Sequence, residues 1–315
     1  MMARLADRLA LLVMGVFFCA AIVVLVREFH DVSLDDVLAR LGAIPPSRIV
    51  AALALTAASY LLLTGYDMLA LRYVGHRLKL RDVIFASFSA FALANNVGLH
   101  ALSGGSVRFR LYSRLGLSAV AIGEVLAFCS FAYALGVVTV GGVLMLLDAG
   151  AFAALLHVPR LLVMAGGAML LAVSLGYLGI AALWREPIAL GRYRLRPPSF
   201  GLAVAQVVLA SADAVLAASV MYVLLPVDLD FSYWYFVGLY TIAATAAIVS
   251  LVPGGLGVFE TAVTILAAPS SKAAALGLFF AYRMIYFILP LLVALAWFGL
   301  RALRRHESLW ADKGS

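Results

Sequence analysis

The sequence predicts an all-α polytopic membrane protein, with about six full transmembrane helices and two re-entrant hairpins broken by glycine pairs. Three observations predict it. Hydrophobic residues make up 65% of the 315 residues and charged residues only 12%, with a mean hydropathy of +1.07; soluble domains carry about a quarter charged residues. Apolar runs recur along the chain, each near the roughly 20 residues that cross a hydrocarbon core. Two runs end in glycine pairs followed by ionisable side chains, Ser103-Gly104-Gly105-Ser106-Val107-Arg108-Phe109-Arg110 and Pro253-Gly254-Gly255-Leu256-Gly257-Val258-Phe259-Glu260. No stretch is long or polar enough for a separate soluble domain. The chain 1–315 therefore reads as one membrane domain with no soluble catalytic part.

The elements follow in order. A short basic start, Met1 to Arg8, precedes an apolar run from Leu9 to Val26. Its length and the lack of a small-residue cleavage site make it an uncleaved first span rather than a signal peptide. Leu34, Val37, Leu38 and Leu41 then recur at helical spacing in a polar stretch, as in a short amphipathic helix on the outer surface. Pro45-Pro46-Ser47 opens the second span, about Ile49 to Leu71. Residues 83–107, basic on both flanks, are read as a re-entrant hairpin with Gly104 and Gly105 at its tip. Spans at about Ser118 to Leu147, Leu161 to Leu183 and Phe200 to Leu225 follow. Residues 233–258 form the second expected hairpin, with Pro253, Gly254 and Gly255 at its tip, and Ala273 to Leu300 is the last span. Trp184, Trp234, Tyr235 and Trp297 fall near span ends, where interfacial aromatics belong.

Charge supports this layout. With both broken runs re-entrant, 17 Lys and Arg lie on one side and five (Arg27, Arg40, Arg48, Arg160, Lys272) on the other, with Arg283 left inside the membrane. That bias places both termini in the cytoplasm. If the first broken run were a full crossing, the basic 185–196 loop would lie outside. The net charge of +7 is spread over these loops, so it reads as anchoring at the cytoplasmic face and not as a nucleic-acid surface. Cys19 and Cys129 both lie in apolar runs and imply neither a disulfide framework nor a metal site. The five histidines show no ligand spacing, and no cofactor is expected.

Two units share one order: a span with an acidic residue, an apolar run, a glycine break and a charged helix. Asp67 precedes the first break and Asp213 the second, giving possible inverted repeats over about 48–147 and 200–300. Inverted repeats with broken helices meeting near the midplane are a transporter signature. The ionisable residues at membrane depth are Asp67, Arg108, Arg110, Glu124, Asp213, Glu260 and Arg283. Such groups are costly in lipid and face a cavity or a partner. Two readings stand for the arginines: Arg283 pairs with Glu260, or Arg283 and the Arg108/Arg110 cluster grip a lipid phosphate, which guanidinium matches with two parallel hydrogen bonds. Asp67 and the Arg108/Arg110 cluster also fit an interfacial position. Asp213 and Glu124 are candidate proton or ion-pair carriers.

Four stretches carry a family resemblance: Gly65-Tyr66-Asp67, Gly104 to Leu117, Pro253 to Glu260, and Ala281-Tyr282-Arg283-Met284-Ile285-Tyr286-Phe287-Ile288-Leu289-Pro290. In this order they resemble the membrane flippase domain of the MprF-type lysylphosphatidylglycerol synthetase/flippases, and above all its stand-alone YbhN-like inner-membrane relatives. The resemblance covers nearly the whole chain. It implies movement of an anionic or aminoacylated phospholipid, such as lysyl-phosphatidylglycerol, across the bacterial cytoplasmic membrane. It also implies that the residues matching Asp67 and Arg108 or Arg110 matter for flipping, and it suggests a homodimer. MprF continues into a soluble aminoacyl transferase, and this chain stops at Ser315, so the synthase activity does not carry over. A separate lipid synthase is then a candidate partner. Two other readings compete with transport: a membrane enzyme acting on lipid head groups, for which the sequence holds no HExxH or DxD motif, and a non-transporting scaffold for a synthase. No Walker-type phosphate loop is present, so a transporter would draw on a gradient or on the lipid's own distribution.

Overall fold

The computed structural model describes residues 34–97, 100–184, 186, 188–190, 193–195, 197–225, 232–249, 257–267 and 272–311. The first expected span, Leu9 to Val26, and the tip Pro253-Gly254-Gly255 lie outside the described residues. Within them the helices are α1 (Leu34–Gly42), α2 (Pro46–Tyr73), α3 (Leu80–Val97), α4 (His100–Arg114), α5 (Ala119–Leu147), α6 (Ala149–Leu156), α7 (Arg160–Leu183), α8 (Phe200–Val223), α9 (Tyr233–Val249), α10 (Val258–Ala267), α11 (Lys272–Tyr282) and α12 (Leu289–Ala311). A π-helical segment, Arg283–Ile288, joins α11 to α12. A hairpin of two three-residue strands, β1 (Ile188–Leu190) and β2 (Tyr193–Leu195), links α7 to α8, pairing Ile188 with Leu195 and Leu190 with Tyr193.

The helix ends follow local chemistry. Pro46 sits in the first turn of α2, where its missing N–H costs nothing. Ser118 accepts the backbone N–H of Ala121 at 3.2 Å and starts α5, and Asp148 does the same for α6 through Ala151 at 3.3 Å. Among the described residues, α2, α5, α7, α8 and the run Ala275–Arg301 are long and apolar enough to cross a membrane. These five make the chain a polytopic all-α membrane protein.

Helices α2 and α8 pack side by side at the centre, and α5 packs on both. Small residues set the approach. A Cβ on Gly136 of α5 would stand 2.7 Å from the backbone of Ala210 on α8. In lipid there is no hydrophobic force between helices, so such close contact and side-chain hydrogen bonds supply the cohesion. Thr139 meets Ser174 at 2.8 Å between α5 and α7, and Gln206 donates to the Phe128 carbonyl at 3.3 Å between α8 and α5.

Helices α3 and α4 form an antiparallel pair, and both of its open ends are at one face. Asp82 in the first turns of α3 and Arg110 and Arg114 near the end of α4 line one groove, together with Arg301 of α12. The pair therefore has its two open ends together at one end of the bundle. Its tip differs from the expectation. Gly104 and Gly105 are not the break: they lie inside α4, and the helix runs on to Arg114. Helix α3 ends at Val97 and α4 begins at His100, ahead of the glycine pair. Glycine here provides space rather than a turn. A Cβ on Gly104 would meet the Ala90 carbonyl and the Ala94 Cβ of α3 at 3.1 Å, and one on Gly105 would meet Leu126 of α5 at 3.3 Å.

Candidate functional site

Helix geometry brings the first charged cluster together. Arg108 lies one turn after Gly104, and helical side chains lean toward the N-terminus. The empty position at Gly104 therefore leaves room for the guanidinium, whose Nη1 would be 3.3 Å from a Cβ there. Arg108 reaches Asp67 of α2, with Nε donating to Oδ1 at 2.9 Å and Nη2 to Oδ2 at 2.8 Å. The Tyr112 hydroxyl, one turn further along α4, donates to Asp67 Oδ1 at 2.8 Å, and the Phe91 ring covers the guanidinium at 4.4 Å. Arg108 is 3% exposed and Asp67 is fully buried. This is a closed, bidentate ion pair that fastens α4 to α2. It departs from the sequence expectation in one way: Arg108, at 3% exposure, is not open to a lipid phosphate.

Arg110 has the opposite fate. It lies on the exposed face of α4 and, with Arg114 and Arg301, rims a groove of about 600 Å³ whose walls include Phe85, Leu111, Leu115 and Phe298. Arg301 approaches Asp82 to 3.5 Å and stacks 3.8 Å over Phe85. Three guanidinium groups above an apolar trough match an anionic head group with acyl chains beneath it. Trp297, expected as an interfacial anchor, packs edge-on against Phe85 at 5.0 Å beneath the same groove.

The second cluster joins α10 to the π segment. Glu260 takes the N3 position of α10 and accepts the backbone N–H of Gly257 at 2.8 Å, one half of a capping box. Gly257 has a φ of +80°, which favours glycine. The other carboxylate oxygen binds Arg283 Nε and Nη2, each at 2.5 Å. Of the two sequence readings for Arg283, the pair with Glu260 is the one the structure forms.

The π segment has a readable cause. Pro290 has no N–H to give the carbonyl of Tyr286 four residues earlier, and its ring crowds that carbonyl. The backbone widens, with Leu289 N–H bonding to Met284 O, and side chains from the first half satisfy the freed carbonyls. The Tyr60 hydroxyl donates to Tyr286 O at 3.2 Å, and Asn96 Nδ2 to Phe287 O at 3.0 Å. π-bulges recur at functional sites.

Asp213, midway along α8, is 7% exposed and receives Ser59 Oγ at 3.1 Å and the Tyr66 hydroxyl at 3.2 Å. Ser59 is also bonded to the Tyr286 hydroxyl at 3.0 Å. Among the described residues no cation pairs with it. Glu124, the other carrier expected from sequence, lies exposed in the second turn of α5 and outside this interior network. Ser59, Tyr60 and Asn96 were not singled out by sequence, and Tyr66 and Tyr112 stood only inside the stretches that carry the family resemblance. A polar residue on an otherwise buried helix face was the available signal, but it does not name the partner.

Comparison with known proteins extends this geometry. The sequence profile of the family described as the lysylphosphatidylglycerol synthase TM region matches residues 9–294. The uncharacterized protein slr0712 of Synechocystis is 40% identical over 265 residues, covering 84% of this chain and 82% of that protein. The inner membrane protein YbhN of Escherichia coli is 29% identical over 283 residues, covering 89% of this chain and 88% of the relative. A phosphatidylglycerol lysyltransferase of Staphylococcus epidermidis is 36% identical over 92 residues, which is 28% of this chain and 11% of that enzyme.

Proposed function

This chain belongs to the lysylphosphatidylglycerol synthase transmembrane-region family, and from that premise we propose that it moves an anionic or aminoacylated phospholipid between the leaflets of the bacterial cytoplasmic membrane. The reading makes it a transporter and not an enzyme. The observation that carries it is the groove between α3, α4 and α12, with Arg110, Arg114 and Arg301 above aromatic and aliphatic walls. A phospholipid from the inner leaflet would enter there with its phosphate on the arginines and its chains along Leu111, Leu115 and Phe298. The charge bias supports a cytoplasmic placement of this end of the bundle and of both termini. The repeated order of elements supports two inverted halves, α2 to α5 and α8 to α12, that rock about α2 and α8.

The test is reconstitution of the purified protein in phosphatidylcholine vesicles with a trace of fluorescent anionic phospholipid and a membrane-impermeant quencher. The expected result is quenching that continues beyond the outer-leaflet lipid and is slowed at least tenfold in Arg110→Ala/Arg114→Ala. Quenching that stops at the outer-leaflet fraction in the wild type would refute transport. Should a lipid synthase copurify with a protein that does not flip, the partner reading would replace it.

A further inference from the structure

Among the described residues three carboxylates are buried within this bundle, and two are neutralised. Asp67 holds Arg108 and Glu260 holds Arg283. Asp213 has only hydroxyls, from Ser59 and Tyr66. We propose that Asp213 is a proton-exchange site, taking up and releasing one proton as the two halves move, so that lipid movement is coupled to a proton gradient. The coupling rests on the transport reading above; the exchange of a proton at Asp213 does not.

The position suits this role. Asp213 is the fourteenth residue of the 24-residue helix α8, about 20 Å from its start at 1.5 Å per residue, which places it near the middle of the membrane. There an uncompensated carboxylate is expensive and a neutral carboxylic acid much less so. The surroundings offer donors and acceptors but no fixed positive charge among the described residues. Helix α2 presents Ser59, Tyr60 and Tyr66, and the π segment presents Tyr286. Tyr133 of α5 and Tyr240 of α9 stand close enough to feel its charge, with Tyr133 held by Thr245 and Tyr240 by Tyr282 of α11 at 2.6 Å. From α7, Tyr177 is committed to Gln206.

The hydrogen bonds serve both protonation states. When Asp213 is ionised, Ser59 donates to Oδ1 and accepts from Tyr286. When Oδ1 carries the proton, that O–H donates to Ser59, whose own hydroxyl turns to donate to the Tyr286 oxygen. No heavy atom has to move, because hydroxyls act as donor and acceptor alike. The chain crosses from α8 through α2 to the π segment, so the proton's presence is felt where the two halves meet and where the helix is already widened.

Two measurements test the proposal and separate it from transport. Infrared difference spectra of the full protein between acidic and alkaline buffer should show the C=O stretch of a buried carboxylic acid, lost in Asp213→Asn and kept in Glu124→Gln. Unchanged spectra in Asp213→Asn would overturn the site whether or not the protein flips lipid. In vesicles with an imposed pH difference, one proton per lipid changes the limiting leaflet ratio by up to about tenfold per pH unit. The expected wild-type ratio follows the gradient, Asp213→Glu follows it too, and Asp213→Asn moves lipid to an even ratio. Wild-type movement that ignores the gradient would overturn coupling. Should Asp213→Asn fail to fold, Ser59→Ala, which breaks the chain to Tyr286, should weaken the gradient response at least threefold, and an unchanged response would count against the proposal.

Discussion

Replacing Asp67 with alanine should destabilise this protein severely, and the structure sets the size. Arg108 is 3% exposed, both of its side-chain hydrogen bonds among the described residues go to Asp67, and Tyr112 shares the same carboxylate. Removing the carboxylate strands a guanidinium and a hydroxyl inside the bundle. Breaking a buried pair in this way costs about 3–5 kcal/mol, because the remaining charge has no counterpart. Replacing both partners with apolar groups is far cheaper. Asp67→Ala/Arg108→Met should therefore recover most of the loss, leaving about 1–3 kcal/mol for the unmet Tyr112 hydroxyl. Thermal unfolding in detergent reads this directly. Cys129 is buried near the cluster, so a thiol-reactive dye in a Cys19→Ser background reports when the bundle opens. A double variant that unfolds no later than Asp67→Ala would refute the reasoning, and so would Asp67→Ala behaving as wild type. Either result would reopen Arg108 as a ligand for substrate.

The same assay checks two smaller features. Gly104→Val should destabilise by about 1–3 kcal/mol through overpacking, since its Cβ would meet the Ala90 carbonyl and Ala94 Cβ at 3.1 Å; an unshifted transition would mean that α3 and α4 stand further apart. Tyr60→Phe should cost about 0.5–1.5 kcal/mol by leaving the Tyr286 carbonyl unmet. That cost should vanish in a Pro290→Ala background, where the backbone N–H of residue 290 can take the carbonyl instead, and an equal cost in both backgrounds would refute the role assigned to the proline.

The spans were legible because lipid leaves so little choice. Every backbone group must bond within its own helix, so long apolar runs with few charges mark α2, α5, α7 and α8 almost to the residue. The charged residues were legible as a set, since ions at membrane depth stand out against such a background. Their pairing was not fully legible. Glu260 and Arg283 are 23 residues apart, and Glu260 is the nearest counter-charge, just past the second glycine break, so sequence offered that pair as one of two readings. Arg108 reaches Asp67 because Gly104 lets α4 lie close against Ala90 and Ala94 of α3 and leaves room for the guanidinium, and the glycine pair was instead read as a turn. Both roles follow from a missing Cβ. Which one applies depends on whether another helix comes close, and one sequence does not contain that. The partners of Asp213 were hidden for a similar reason: Ser59 and Tyr66 are ordinary residues until α2 is laid against α8.

The orientation of the first hairpin can be tested without any assumption about lipid. Helix α3 has 18 residues and α4 has 15, about 27 and 22 Å long, each somewhat shorter than the roughly 30 Å hydrocarbon core. Had they crossed in succession as one broken span, Asp82 and Arg114 would lie on opposite faces. They line the same groove, beside Arg301. Single cysteines at His76 and Ser113, in a background lacking Cys19 and Cys129, should therefore react with an impermeant maleimide from the same side of the membrane. A cysteine at Gly150, at the start of α6 just beyond the far end of α5, should react from the other. Labelling of positions 76 and 113 from opposite sides would break the hairpin. It would also invert every later loop and place the basic stretch around Arg194 and Arg196 outside, against the usual bias of Lys and Arg toward the cytoplasm.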